Sequence, residues 1–241
     1  MLQSLFLTDL KRQFGSQFIS TMPFENLNAV FHLCIFTLMM KGIIIILFSG
    51  LSFSVNAQSY RDSIYAHRVH YKQEFITDSH SPLKASDTDY LQFFAPNIKF
   101  RVVAKFFKSN DTLPFDMHTY SGKLKPYRKY GDVVFRIGKK RCQLEVYQSL
   151  DLIKKEATQD YLFLPFNDLT NYATTYAGGR YLDLALSDIK NSLVMLDFNK
   201  AYNPYCAFAS GYSCPIPPVA NRLTVAIKAG EKLFGNAVEE K

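Results

Sequence analysis

The stretch from Asp197 to Glu231 limits the possible folds more than any other part of the chain. It holds Pro204, Pro215, Pro217 and Pro218, two of the four cysteines, and a dense run of Asp, Asn and Tyr. Proline fixes φ and lacks a backbone donor, so this segment is neither a regular helix nor a central strand. It has to be a structured loop, fixed by side chains and by its packing partners. Cys206 and Cys214 sit within it at a spacing that suits a short disulfide ring, contributing about 2–3 kcal/mol on a loop-entropy model. A catalytic thiol is the weaker reading, because a reactive thiolate needs a neighbouring base or cation. Cys142 is then left over as a small buried hydrophobe.

Upstream, residues 40–57 read as a secretory signal: Met40, one lysine, an apolar core, and Val55-Asn56-Ala57 before Gln58. On that reading Met40 is the start, residues 1–39 are upstream sequence translated by mistake, and cleavage near Ala57 exports the protein to the periplasm or the outside. The competing reading makes residues 29–55 a membrane anchor, but Lys41 would then lie in the middle of the span, where a charge costs about 3 kcal/mol. After cleavage no stable membrane span is expected. The chain beyond Ala57 is long enough for one domain with a real core.

Charge gives little away. The net charge is +7, and the basic residues are scattered, as in Lys123, Lys125, Arg128 and Lys129, then Lys139, Lys140 and Arg141. That is the pattern of a solvated surface, not of a nucleic-acid stripe.

Tyr60, Ile64, Val69 and Tyr71 recur at a helical period without Gly or Pro, which predicts one helix over 58–76. Ser86–Leu91 can cap a short helical turn. From Lys99 on, the period becomes that of strands: 99–107, 112–117, 132–137, 141–148, 161–166, 193–198 and 222–228. Gly138-Lys139-Lys140 marks a hairpin, and Cys142, Leu144 and Val146 alternate with Gln143, Glu145 and Tyr147 as a buried face against a wet one. Residues 237–241 read as a frayed tail. The expected fold is mainly β, a β-rich α+β domain over 58–236. Its antiparallel sheet would curl into a sandwich or partial barrel, with one N-terminal helix packed on it.

Three motifs carry a family resemblance. They are Leu164-Pro165-Phe166-Asn167-Asp168-Leu169-Thr170, Tyr176-Ala177-Gly178-Gly179-Arg180-Tyr181-Leu182-Asp183, and Leu196 to Cys206 followed by Cys214-Pro215-Ile216-Pro217-Pro218, Asn221 and Ala229-Gly230-Glu231-Lys232. Over about Ser59 to Lys232 the chain resembles the uncharacterised, mainly bacterial family known as domain of unknown function 1684. The resemblance brings relatives but no activity.

The motifs leave several chemistries open. Gly178 and Gly179 can let backbone N–H groups approach an anion, with Arg180 as a fork for a carboxylate or phosphate. Equally, the glycines can make a turn and Arg180 an internal ion pair with Asp183, Asp197 or Glu231. Asp197, Asn199 and Asn203 can hold Ca²⁺ through oxygen, or bond the irregular backbone around them. The expectation is a pocket for a small polar or anionic ligand rimmed by Asp168, Tyr176, Gly178, Gly179, Arg180, Asp183, Asp197, Asn199, Tyr202, Asn203 and Glu231. The alternatives are a hydrolase using Asp183, Asp197 or Glu231 as acid–base groups, and a structural envelope domain. His67 and His70 lack a third metal ligand in sequence.

Overall fold

A computed structural model describes residues 58–235. The expected signal, anchor and upstream segment, and the expected frayed tail, lie outside them. A single long helix, α1 (58–77), precedes a seven-stranded antiparallel sheet curled into a half-barrel. The strands are β1 (Arg101–Lys108), β2 (Pro114–His118), β3 (Leu124–Ile137), β4 (Lys140–Ser149), β5 (Tyr161–Phe166), β6 (Arg180–Ala185) and β7 (Leu193–Asp197). Their order is β6-β5-β4-β3-β1-β7, with β2 paired to β3. Among the described residues no helix is long and apolar enough to cross a membrane.

The sheet's two faces differ in chemistry, because side chains alternate along a strand. One face is aliphatic: Val133, Leu144, Leu162, Leu164, Leu196 and their neighbours form the main core. The other is aromatic: Met117, Tyr127, Tyr147, Phe163 and Tyr181 cluster there, with Tyr161 and Tyr202 against them. A bulge between Lys129 and Gly131 shifts the register of β3 against β4. That extra residue explains how Tyr127 and Val133, both odd-numbered, reach opposite faces.

Four expectations change. Strand β3 begins at Leu124 instead of 132, because Pro126 and Gly131 sit inside a strand that curls at its bulge. Tyr147 is buried, not wet, because the end of β4 is covered on both sides. Val69 is 70% exposed; the helix instead turns Ile64, Arg68, Tyr71 and Phe75 inward, spaced three and four apart. Residues 222–228 form no strand. Leu223, Val225, Ile227 and Ala229 do enter the main core, but the segment's backbone bonds go to the 167–169 turn: Leu223 N donates to Asn167 O, and Val225 O accepts from Leu169 N.

The residue just before that segment repairs a gap in the sheet. Pro165 cannot donate, and β4 and β5 pair at one position only, Tyr147 opposite Phe163. Asn221 fills the gap with its side chain. Its Nδ2 donates to Glu145 O and Pro165 O, and its Oδ1 accepts from Glu145 N at 2.8 Å.

The proline-rich stretch is a structured loop, and Cys206 and Cys214 are joined in a disulfide. Cys142 is a buried free cysteine. The loop packs against α1 and the chain that follows it: Phe75 of α1, with Leu83 and Leu91 beyond it, meets Ala207 and Phe208. Tyr205 OH donates to Asp78 at 2.9 Å, and Tyr212 OH to His80 O at 2.9 Å. Replacing both Cys206 and Cys214 by serine should therefore cost about 2–3 kcal/mol in urea unfolding. The far-ultraviolet spectrum of the folded state should not change, since the sheet itself lies elsewhere.

Candidate functional site

The double-glycine turn and the proline loop do fold side by side. Tyr181 and Tyr202 exchange backbone hydrogen bonds at 2.9 and 3.1 Å, and Tyr181 OH donates to Pro215 O. Gly179 has φ +91°, and a Cβ there would run into Phe166 O and Pro217, so glycine is required at that position. Gly178 presents its carbonyl to Tyr120 OH at 2.7 Å, and Tyr176 OH reaches Cys206 O.

Arg180, however, does not face a ligand. It stands three residues before Asp183 on the same strand, so the two side chains leave opposite faces of β6. Its guanidinium is fully buried. Nη2 donates to Asp168 Oδ2 at 2.7 Å and Ile227 O at 2.9 Å, while Nη1 donates to Glu231 O at 3.1 Å and to Ala229 O. Burial pulls its pKa down and the Asp168 carboxylate opposes that shift. Asp168 is equally enclosed, and its Oδ1 accepts from Thr170 N, Thr170 Oγ1 and Ile227 N. The anion fork expected from the sequence is thus an internal tie, and its partner is Asp168, not Asp183, Asp197 or Glu231.

Glu231 and Asn203 are also inside. Glu231 Oε2 accepts from Tyr71 OH at 2.9 Å and from Asn203 N at 2.8 Å, while Oε1 has no hydrogen-bond partner. Burial pushes its pKa up to about 8, against the pull of these bonds and of Arg180. Asp197, Asn199 and Asn203 do not converge as a Ca²⁺ site would need. Asp197 accepts from Tyr60 OH on both oxygens, Asn199 bridges Asn97 and Tyr60, and Asn203 Nδ2 turns away to Lys232 O. Among the described residues no three His, Cys, Asp or Glu side chains gather as a metal site.

An open concavity lies on the aromatic face. It is a cleft of about 940 Å³ between α1, the sheet and the proline loop. Of the residues singled out in sequence, Asp183, Asp197, Asn199 and Tyr202 line it; the other seven, from Asp168 to Glu231, do not. Sequence reading missed most of its wall, including Tyr71, Tyr127, Tyr161, Phe163, Tyr181 and Tyr205. The signal that could have found them is the alternation of Tyr161 and Phe163 with leucines in β5, continued by Tyr181 and Asp183 in β6.

At the floor, Tyr161 OH and Tyr202 OH both donate to Asp183 Oδ1, at 2.7 and 2.8 Å. Among the described residues, nothing donates to Oδ2 and no cation forms an ion pair with Asp183. Water reaches this carboxylate from the cleft, yet protein surrounds it closely enough that desolvation raises its pKa; the two tyrosine hydrogen bonds oppose the rise. Both tyrosine hydroxyls are in turn driven well above their ordinary pKa, chiefly by burial. Tyr181 lies edge-on to Tyr202 at 5.8 Å and to Phe163 at 4.7 Å, so rings wall the carboxylate.

A family model described as "Protein of unknown function (DUF1684)" matches residues 87–232. The chain belongs to that family. Its fold is similar to the solution NMR structure of an uncharacterized protein from Haloarcula marismortui, at 28% identity and a TM-score of 0.57, covering 73% of this chain and 96% of that one. Among curated proteins none matches.

Glu231 generates a prediction. In the folded protein it keeps its proton up to about pH 8, whereas the unfolded chain releases it near pH 4.3. Between those values the folded state holds the extra proton, so stability falls as pH rises, by at most about 1.4 kcal/mol per pH unit. Glu231→Gln keeps an oxygen for Tyr71 and Asn203 but cannot ionise. Urea unfolding from pH 5 to 9 should show the wild-type decline flattened in the variant, which becomes the more stable protein above pH 8. A variant that declines as steeply as wild type would place the titration elsewhere.

Proposed function

We propose that this protein is a binding module whose cleft takes a small polar ligand through hydrogen bonds donated to Asp183. One observation carries this reading: a carboxylate that solvent can reach, raised in pKa, with one oxygen held by two tyrosines and the other without a partner among the described residues, at the floor of a ring-lined concavity. Ligand sites combine apolar walls with a few convergent polar groups, and a fixed carboxylate in a semi-enclosed cleft bonds more strongly than in water. An anionic ligand at Arg180 finds no support, because that guanidinium has no exposed surface. Paired-carboxylate hydrolysis has little either. Glu231 is shut inside, Asp197 is held by Tyr60, and the groups that act on Asp183 are tyrosines.

Export fits this reading. The Cys206–Cys214 bond suits an oxidising compartment, and the apolar run at 40–57 would be the signal. Mass spectrometry of protein recovered from the cell envelope or medium should find Gln58 as the N-terminal residue.

Calorimetry with hydroxyl- and amine-bearing small molecules tests the binding role. For any that bind, Asp183→Asn should weaken affinity at least tenfold, about 1.4 kcal/mol. The melting temperature should stay near wild type, since Asp183 lies on the open face. Ligands that bind equally well to the variant would overturn the assignment.

A further inference from the structure

We infer that the group received at Asp183 is a cationic amine. This rests on the binding reading above and narrows it to one ligand class.

The argument is one of donor and acceptor supply. Tyr161 and Tyr202 spend their only hydroxyl hydrogens on Asp183 Oδ1, and Tyr181 spends its own on Pro215 O. A phenol has one donor and offers lone pairs otherwise. What these groups leave for a ligand is therefore electron-rich: Asp183 Oδ2, phenolic lone pairs and ring faces with negative quadrupoles. A ligand hydroxyl can donate there, but its oxygen finds no free donor among these groups. An alkylammonium has three donors, no acceptor and a positive charge that both the carboxylate and the ring faces attract. Its charge also opposes, by Coulomb attraction, the rise that burial imposes on the pKa of Asp183.

Among the described residues, no cation pairs with this carboxylate. Arg68, Arg101, Lys125 and Lys200 line the cleft, but none forms an ion pair with Asp183 among the described residues. Arg101 lies 3.9 Å from Asp197, and Arg68 stacks over Phe93 and donates to Phe94 O. Among the described residues, a carboxylate is thus left without an ion-pair partner at the floor of a concavity, in reach of solvent.

The test compares probes of like shape. n-Butylammonium and 1-butanol, and glucosamine and glucose, are titrated into the wild-type protein below pH 7 while tyrosine ring resonances are followed by NMR. The amine of at least one pair should bind at least tenfold more tightly than its neutral partner, shifting Tyr161 and Tyr202. Asp183→Asn should abolish that preference, while Asp111→Asn, on an exposed turn, should keep it. Should Asp183→Asn fail to fold, the carboxyl ¹³C titration of Asp183 in the wild type decides: its pKa should fall on adding the amine and not on adding the alcohol. If the cleft tyrosines shift but neither amine binds more tightly than its neutral partner, the cationic assignment is wrong and the cleft reading stands. If neither class perturbs the cleft tyrosines, both are wrong.

Discussion

The buried ion pair between Arg180 and Asp168 is the contact on which the rest of the structure depends. One guanidinium gathers the carbonyls of Ile227, Ala229 and Glu231 and fixes them to the turn after β5. The segment thus held has no strand ladder of its own, yet it delivers Leu223, Val225, Ile227 and Ala229 to the aliphatic core. An enclosed ion pair of this kind gains little over an apolar replacement, because desolvation offsets most of the Coulomb attraction. Its role is geometric. Removing one partner would strand the other charge, so the chain end has a single place to lie.

From that tie the order spreads outward. Glu231, whose carbonyl is the last that Arg180 captures, accepts through its side chain from Tyr71 of α1 and from the backbone of Asn203. It thereby links the C-terminal segment, the helix and the proline loop at one enclosed carboxyl. The disulfide and the bonds from Tyr205 and Tyr212 fix the other end of that loop to the end of α1. The cleft is the space that remains once these three elements are held apart over the aromatic face. Strand β6 separates the two environments, with one face in the core beside Arg180 and the other along the cleft.

Much of the fold was legible. Strand β5, the β3–β4 hairpin turn, the helix, the loop character of Asp197–Glu231 and the cysteine pairing followed from period, proline and spacing. The failures have particular causes. Residues 222–228 look like a strand because they are apolar and alternate, but their hydrogen bonds go to a turn. Val69 looked inward by residue type, while the buried stripe included Arg68, which keeps its stem in and its head on Phe94 O. Among the site candidates, Arg180 and Asp183 were grouped because they are close in sequence, and strand alternation separates them.

The sequence by itself determined that most of the chain beyond residue 99 is built of strands, that the proline-rich stretch is not one, and that a charged and aromatic motif lies at the double glycine. These depend on φ restriction, side-chain period and local spacing, all of which act within a few residues. Only the tertiary structure decided which charges are enclosed and which are open. Whether Arg180 or Asp183 meets solvent depends on what covers each face of β6. That cover comes from residues 168 and 227–231 on one side, and from Tyr161, Tyr202 and the cleft on the other. Burial depends on partners far along the chain, and no local pattern encodes it.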